Sequence, residues 1–263
     1  MERIDKYIPK EYLALRINYR RIMLAELPVV KLTEHTLYGV PTKRISIDNH
    51  RYNLNTPAGE NCMEIYKQRK LCEQELRCYE AIWEAHFTDE PLQECMPHNV
   101  NRLLRVSYNQ QVVMNKAFFD SLKNDADTRH PKPSYYPFKG IFYRSAAERD
   151  IAVFLDDMGI PFKYEPKISL TGLNYTIHPD FVIYIEEIDT CIIIEHLGIK
   201  NSSDYIRDNK IKYGNYTGAG LISGVDFLFT HDTDNLPFDI RGLISALNNA
   251  IYQLLISDRS DAA

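Results

Sequence analysis

Residues 178–198 read HPDFVIYIEEIDTCIIIEHLG, two apolar runs separated by a short polar turn. Both runs are short and turn-forming residues bound them, so residues 175–185 and 191–197 are each predicted to form a β-strand. The second run has consecutive apolar residues before Glu195, which is typical of a strand that is covered on both faces. Each run also carries an acid, since Asp180 lies within the first and Glu195 near the end of the second.

The segments around these runs extend the pattern into an α/β domain. Ser145 and Glu148 open a helix at the spacing of a capping box, and Gly159 and Pro161 end it. From that helix onward the predicted order is α-β-β-β-α-β-α. The elements cover residues 145–158, 162–170, 175–185, 191–197, 202–216, 225–230 and 238–256. This order predicts a mixed central sheet that is flanked by helices.

The first half of the chain has a different character. Helices are predicted from apolar spacing at residues 9–27, 61–87 and 100–122. The polar stretch between the first two is interpreted as strand or loop. The sequence DADTRHPKPSYYPFKG at residues 125–140 is rich in proline and charge, which is typical of a domain boundary. We therefore predict a mainly helical region at residues 1–134 that contacts nucleic acid or a partner, and a second domain at residues 135–263.

Composition limits the classes of protein to which the chain can belong. Its 263 residues are 44% hydrophobic, which suffices for a buried core. No apolar run reaches the roughly 18 residues that predict a transmembrane helix, so no membrane partner is expected. The charged N-terminus lacks the apolar stretch of a signal peptide, so a cytoplasmic location is expected. The five cysteines form no CxxC pair and are interpreted as reduced thiols rather than as a zinc site.

Charge is distributed unevenly along the chain. The net charge is -5, which excludes an overall basic surface for nucleic acid. Residues 1–134 hold 20 basic and 18 acidic side chains, whereas residues 135–263 hold 11 and 18. A nucleic-acid ligand would therefore need phosphate contacts from the first half, or a metal ion in the acidic half. The predicted phosphate contacts are Arg16, Arg20, Arg21, Lys67, Arg69 and Lys70. A purely solubilising role for these residues is the alternative.

Three acids lie among apolar residues and are the candidate metal ligands. Glu148 precedes Ile151 and Leu155 at helical spacing, which places it on the buried face of its helix. A carboxylate near an apolar core costs on the order of several kcal/mol unless it is paired or binds a metal. Asp180 and Glu195 on successive strands would also repel each other. A divalent cation removes both costs because hard cations bind carboxylate oxygens. Glu148 as a helix cap and Asp180 as a turn residue are the alternatives.

Four motifs in the second half resemble those of a known group of proteins. They are Phe142-Tyr143-Arg144-Ser145 followed by Glu148, GIPFKYE at residues 159–165, HPDF at residues 178–181 and EHLG at residues 195–198. Over residues 139–216 they resemble uncharacterised bacterial proteins with the patterns RSKSE, GIPFxYE, YPDF and WEHxG. Together with the element order, they resemble the PD-(D/E)XK restriction-endonuclease-like superfamily. The resemblance implies that fold in a bacterial or phage protein, with a metal-dependent nuclease site at Glu148, Asp180 and Glu195.

One position departs from the superfamily pattern. Its usual lysine would lie two residues after Glu195, where this chain has Leu197. In the group resembled, a Tyr, a Lys and a Tyr follow at positions that correspond to Tyr205, Lys212 and Tyr216. Spacings of 7 and 11 residues place all three on one face of a helix. Lys212 is therefore predicted to reach the site from that helix.

Two other residues are alternatives to Lys212. Lys210 belongs to the same predicted helix, and His196 directly follows Glu195. His196 ranks lower because neighbouring residues of a strand point to opposite faces. A solvated Lys212 that takes no part in the site is the remaining alternative.

The resemblance implies metal-assisted hydrolysis of phosphodiester bonds, with DNA favoured as the substrate by analogy. Asp180 and Glu195 would hold Mg²⁺ or Mn²⁺ with the backbone carbonyl of His196, and Glu148 would bind a second metal or orient water. Lys212 would position the attacking water or stabilise charge on the phosphate. Two other functions stay open. One is a nucleic-acid-binding or assembly module with a degenerate site, and the other is a helical protein whose first half binds a partner.

Overall fold

The structure is a computed structural model that describes residues 10–37, 39–92, 95–127, 131–198, 203–232 and 237–257. The chain divides into two compact units, Met1–Pro97 and His98–Ala263. We call them the N-terminal unit and the C-terminal unit. Among the described residues, no helix is both long enough and apolar enough to cross a membrane.

The N-terminal unit combines two helices with a small antiparallel sheet. Its elements are α1 (Lys10–Glu26), β1 (Val30–Leu37), β2 (Val40–Ile47), β3 (His50–Asn53) and α2 (Pro57–His86). The strands pair in the order β1-β2-β3. Val30, Ile45 and Cys62 form a buried cluster that joins the sheet to α2. α2 begins after Thr56, whose hydroxyl accepts a hydrogen bond from the backbone nitrogen of Gly59.

The stretch between α1 and α2 is thus a sheet, where the sequence left strand or loop open. The connection from β2 to β3 is a two-residue turn in which Asp48 and Asn49 have φ angles of 46° and 68°. Asp and Asn tolerate this left-handed conformation, and such turns match the twist of paired strands. The unit is consequently less helical than predicted.

The helix predicted at residues 100–122 is wrong. The chain forms a hairpin and a short helix there, β4 (Leu103–Ser107), β5 (Gln110–Val113) and α3 (Lys116–Ser121). Val106, Val112 and Val113 favour strands because their branched side chains pack well on a pleated surface. A turn between two short strands made the spacing of the apolar residues resemble that of a helix.

The C-terminal unit is built around a four-stranded mixed sheet. Its remaining elements, in chain order, are β6 (Pro137–Phe138), β7 (Ile141–Phe142), α4 (Ala146–Asp157), β8 (Phe162–Tyr164), β9 (Ile168–Ser169), β10 (Thr176–Ile177), β11 (Phe181–Ile185), β12 (Thr190–Gly198), α5 (Ser203–Gly218), β13 (Phe227–Asp232) and α6 (Ile240–Ser257). The sheet order is β13-β12-β11-β8. β11 is antiparallel to both of its neighbours, and β13 runs parallel to β12. The predicted mixed α/β class is confirmed.

The two central strands, β11 and β12, are buried along most of their length, as the apolar runs predict. The strand predicted at residues 162–170 is split into β8 and β9, and the one at residues 175–185 into β10 and β11. Glu165 has a φ angle of 41°, and Pro166 and Pro179 lie in the two gaps. A proline has no N–H to donate to a neighbouring strand, so it interrupts the pairing.

Successive side chains of the sheet point to opposite faces. Val182 and Ile193 lie on the face where Tyr216 of α5 packs. Phe181 lies on the other face, where its ring centroid is 5.3 Å from that of Tyr164. The position of a residue along β11 or β12 therefore decides whether its side chain meets α5.

The hairpin β4–β5 and α3 belong to the core of this unit. Leu104 and Phe119 are buried in the same cluster as Ile193. The division between the units accordingly falls after Pro97, well before the boundary predicted at residue 134. The proline-rich stretch that suggested the later boundary lies inside the C-terminal unit.

Candidate acidic site

Asp180 precedes β11 and Glu195 lies in β12, and the pairing of these strands brings them together. Phe181 pairs with Ile194, so the next step along the ladder sets Asp180 opposite Glu195. Opposed residues of antiparallel strands point to the same face of the sheet. The Asp180 Oδ2 accepts a 2.6 Å hydrogen bond from the backbone nitrogen of His196. That bond holds the aspartate side chain against β12.

Glu195 is completely buried, and α5 supplies two donors to its carboxylate. The Lys212 Nζ lies 2.5 Å from the Glu195 Oε2, and the Tyr216 hydroxyl donates to Oε1. Residues four apart share a face of a helix, so one face of α5 covers the acid. The Lys212 side chain keeps 37% of its surface exposed. Its ammonium group therefore connects a buried carboxylate to the protein surface.

The acids influence each other electrostatically. Burial raises the pKa of the Asp180 carboxyl well above its ordinary value, and the negative charge of Glu195 raises it further. Lys212 acts in the opposite direction, Glu148 adds to the rise, and the bond from the His196 nitrogen lowers the pKa. Carboxylates that share a site disfavour each other's ionised form. Asp180 is therefore a strained anion that a nearby positive charge would stabilise.

Glu148 lies in the first turn of α4 with its side chain buried. The Ser145 hydroxyl accepts a hydrogen bond from the Glu148 nitrogen and donates one to Oε1, both of 3.1 Å. The Arg144 backbone nitrogen and the Tyr164 hydroxyl donate to Oε2 at 3.2 and 2.6 Å. Burial raises the pKa of Glu148 and these hydrogen bonds lower it. Glu148 thus caps its helix, as the alternative interpretation requires, while it also lies near enough to Asp180 to raise the pKa of that acid.

A network of charges beside Glu148 was missed by the sequence analysis. The Arg144 guanidinium pairs with Glu165 through two nitrogens, and its Nη2 lies 3.2 Å from the Asp127 Oδ2. Lys132 lies 2.6 Å from the other side of the Glu165 carboxylate and 4.4 Å above the Tyr164 ring. Arg144, Tyr164 and Glu165 all belong to the quoted motifs, which is the only signal of their importance in the sequence.

His196 and Lys210, the alternatives to Lys212, lie elsewhere. The His196 Nδ1 is 2.9 Å from the Thr230 Oγ1, so the imidazole points away from the face that carries Glu195. Burial lowers the pKa of His196, which favours the neutral ring. Lys210 is exposed on α5. The side chain of Tyr205, the first residue of the predicted Tyr-Lys-Tyr face, lies outside the described residues.

The donors at this site suit a hard divalent cation, but they are fewer than predicted. Within the described ranges, no group of three or more His, Cys, Asp or Glu side chains is arranged to hold a metal ion. The three predicted ligands are therefore not assembled as one group, because Glu148 directs both of its oxygens to protein donors. Asp180 and Glu195 present carboxylates on one face. Mg²⁺ is commonly held by one or two carboxylates and several waters, so this pair fits it.

The basic clusters of the N-terminal unit do not face solvent as predicted. Arg16 and Arg20 are buried. The Arg16 Nη2 donates to the Tyr12 hydroxyl at 2.8 Å, and its guanidinium lies 4.5 Å from that ring's centroid. The Arg20 Nε donates to the Glu75 Oε2 at 2.7 Å. The predicted phosphate contacts are wrong for these two arginines because α1 directs them towards its own tyrosine and towards α2.

The other four basic residues also have partners inside the unit. The Arg69 Nη1 donates to the backbone carbonyls of Leu24 and Leu27 at 2.9 and 2.8 Å, so it caps the end of α1. The exposed residues Arg21, Lys67 and Lys70 pair with Glu80, Glu64 and Glu73 at 2.6, 3.4 and 2.8 Å. Their positive charge is offset locally, which agrees better with a solubilising role.

No family model, curated protein or solved structure matches this chain. Its function must therefore be inferred from the site itself. The features that define the site are two opposed acids at adjacent strands, a lysine on the covering helix, and a third acid at the start of α4.

Proposed function

We propose that the C-terminal unit is a restriction-endonuclease-like nuclease that hydrolyses phosphodiester bonds with Mg²⁺ or Mn²⁺, and that DNA is its substrate. One observation carries the proposal: Asp180 and Glu195 oppose each other on neighbouring strands, with the Lys212 ammonium 2.5 Å from Glu195. Carboxylate oxygens are the ligands that hard cations prefer. A preorganised positive group beside a phosphate stabilises the charge that develops during attack.

The order of the elements supports the proposed topology. α4 is followed by the antiparallel strands β8, β11 and β12, then by α5, and then by β13 parallel to β12. This is the order that the resemblance to the PD-(D/E)XK superfamily implies. In that arrangement the Pro179-Asp180 pair begins the second main strand and Glu195 lies on the third.

Asp180 and Glu195 would hold the metal ion, with the backbone carbonyl of His196 as a further ligand and Glu148 nearby. A bound divalent ion lowers the pKa of coordinated water and offsets charge on the phosphate. The electrostatics of the acids support this assignment. Burial and Glu195 both raise the pKa of Asp180, and a cation between the two carboxylates would remove that cost.

The other residues of the site have separate roles in the proposal. Lys212 is exposed enough for its ammonium to contact a phosphate group while its stem stays on α5. Tyr216 is buried and donates to Glu195, so it fixes the orientation of that carboxylate. Glu148 would orient the attacking water from the third side of the site.

The proposal is tested with a cleavage assay on plasmid and on single-stranded DNA in Mg²⁺, Mn²⁺ or EDTA. The parent protein is expected to cleave only with metal. Glu195→Gln keeps the shape of the side chain and removes its charge, so cleavage should fall by about two orders of magnitude or more. Glu187→Gln is the matched control, because Glu187 is also buried but lies in the turn at the far end of β11 and β12.

Two results would contradict the nuclease proposal. One is metal-dependent cleavage that Glu195→Gln leaves unchanged, which would trace the activity to another site or a contaminant. The other is a parent protein that cleaves neither substrate with either metal.

A second candidate function is a nucleic-acid-binding module with a degenerate site. The observation that favours it is that Glu148 and Glu195 already receive protein donors on both carboxylate oxygens. The half-exposed rings of Tyr175 and Tyr213 would then provide base-stacking surface near α5. Salt-dependent DNA binding without cleavage would identify this function.

A further inference from the structure

The Tyr164 hydroxyl is the shortest contact of Glu148. It donates to the Glu148 Oε2 at 2.6 Å, and the Arg144 backbone nitrogen lies 3.2 Å from both that oxygen and the phenol oxygen. Ser145 binds the other carboxylate oxygen. Each oxygen of Glu148 thus has a fixed donor, and the plane of the carboxylate is determined.

Tyr164 itself is held on every side. Its side chain is completely buried, and its ring centroid lies 4.5 Å from that of Tyr143 and 5.3 Å from that of Phe181. Lys132 covers the ring at 4.4 Å. The Tyr164 backbone nitrogen donates to the Asn124 Oδ1 at 2.7 Å. The hydroxyl therefore has little freedom to move.

The position of Tyr164 in the sheet links two of the candidate acids. Tyr164 pairs with Phe181, which directly follows Asp180. The Tyr164 hydroxyl therefore joins Glu148, on α4, to the strand whose start carries Asp180. Burial and the neighbouring Glu148 raise the pKa of Tyr164, so the phenol stays protonated and remains a donor.

We propose that Tyr164 is a positioning residue, which holds the Glu148 carboxylate at a fixed distance from Asp180 and Glu195 so that Glu148 can contribute to metal binding. The inference rests on the proposed function. The helix cap alone does not need this bond, because Ser145 and the Arg144 nitrogen already satisfy the first turn of α4. The additional donor restricts a flexible side chain, and groups that orient metal-site carboxylates have this effect.

The test is a double-mutant cycle on Mn²⁺ affinity, measured by isothermal titration calorimetry. Tyr164→Phe keeps the ring and removes only the hydroxyl. It should weaken Mn²⁺ binding by about 10- to 100-fold, as loss of an orienting partner does at other metal sites. In the Glu148→Ala background the same change should have no further effect, because Tyr164 acts through Glu148. Cleavage at saturating Mn²⁺ should recover more fully than cleavage at limiting Mn²⁺.

Tyr143→Phe is the matched control. Tyr143 is as deeply buried as Tyr164 and packs on it, but its hydroxyl is not among the donors found for Glu148 in the described part of the chain. It should leave Mn²⁺ affinity unchanged. If Tyr164→Phe does not fold, Tyr164→4-fluorophenylalanine fills the space of the hydroxyl without donating a hydrogen bond, and it replaces the first variant in the cycle.

The outcomes separate the inference from the proposed function. Parent protein that binds Mn²⁺, with equal affinity in Tyr164→Phe, overturns the positioning role and leaves the nuclease proposal standing. An equal loss of affinity with and without Glu148 also overturns it, because the effect would then be structural. A parent protein that neither binds Mn²⁺ nor cleaves overturns both.

Discussion

The two units of this protein use buried charge in opposite ways. In the N-terminal unit the buried Arg20 pairs with Glu75 at 2.7 Å, and Arg16 stacks on a tyrosine. In the C-terminal unit Asp180 and Glu195 oppose each other, and the pKa of Asp180 is raised by burial and by its neighbour's charge. Opposite charges stabilise a fold, whereas acids that repel each other reduce stability. Such perturbed groups are characteristic of sites that act on a ligand.

The C-terminal unit also contains a balanced pair, which sharpens this contrast. Asp226 is buried, and the Arg102 guanidinium donates to its two oxygens at 2.7 and 2.5 Å. The hydrogen bond to Asp226 raises the pKa of Arg102. A buried acid is therefore not in itself a sign of function. What distinguishes Asp180 and Glu195 is that two acids share one cation, Lys212.

The largest effect is expected from Lys212→Ala, which removes that cation. Turnover should fall by about two orders of magnitude or more, the scale seen when one preorganised electrostatic group is lost. Because the Lys212 side chain is 37% exposed, folding should be largely intact. The measurements are the cleavage rate at saturating metal, circular dichroism and Mn²⁺ binding.

Lys210→Ala is the control for this prediction, since Lys210 lies on α5 but is exposed. It should have little effect on turnover. Dispensable Lys212 together with essential Lys210 would show that α5 presents a different face to the acids. Cleavage that survives both changes would make His196 the leading candidate.

A smaller effect, on stability instead of turnover, is expected from Arg20→Met in the N-terminal unit. The change keeps an apolar stem but removes the charged hydrogen bond to Glu75. The free energy of unfolding should fall by about 1–3 kcal/mol, measured by urea denaturation, while cleavage and DNA affinity stay unchanged. Arg21→Met breaks an exposed pair with Glu80 and should cost only about 0–1 kcal/mol. A weaker salt dependence of DNA binding in Arg20→Met would restore the phosphate contact that its burial argues against.

The smallest effect concerns Asp180→Asn, which removes one of the repelling acids. Without metal, stability at neutral pH should rise by on the order of 1 kcal/mol, and the stabilisation by Mn²⁺ should disappear. The pKa of Asp180 is higher in the folded state than in the unfolded state, so the folded protein binds the proton more tightly. This contribution to stability is complete below the ordinary pKa of an aspartate and is lost as pH rises through the raised value.

Thermal unfolding of the metal-free protein across this pH range checks the prediction. The parent should lose stability as the pH rises through the interval, and Asp180→Asn should show a flatter profile. Asp150→Asn is the control, since Asp150 is an exposed acid on α4. A Mn²⁺-induced rise in melting temperature that persists in Asp180→Asn would show that Asp180 is not a ligand.

Local patterns predicted the elements that carry the acids because those elements have strong signals. The apolar runs before and after the turn predicted β11 and β12, and Ser145 with Glu148 predicted the start of α4. The same reasoning was misled at residues 100–122, where two short strands and a turn have nearly helical spacing. It also treated Arg16 and Arg20 as surface residues, because an arginine carries no local mark of burial.

The contacts that give the site its geometry join residues far apart in the chain. Tyr164 donates to Glu148 and Lys212 contacts Glu195 across 16 and 17 residues. Lys212 was found from the sequence only because a resemblance supplied its spacing, and nothing comparable pointed to the hydroxyl of Tyr164. The division of the chain after Pro97 likewise depends on where β4, β5 and α3 pack.

The sequence by itself determined which elements form around residues 145–198 and on which face of each element the acids lie. The repeat of a helix or a strand sets side-chain direction within one element, so a local pattern suffices. The tertiary structure alone decided which charges are balanced and which repel. Partners of a charged group are chosen by the packing of distant segments, and no local spacing records that Arg20 meets Glu75 while Asp180 meets Glu195.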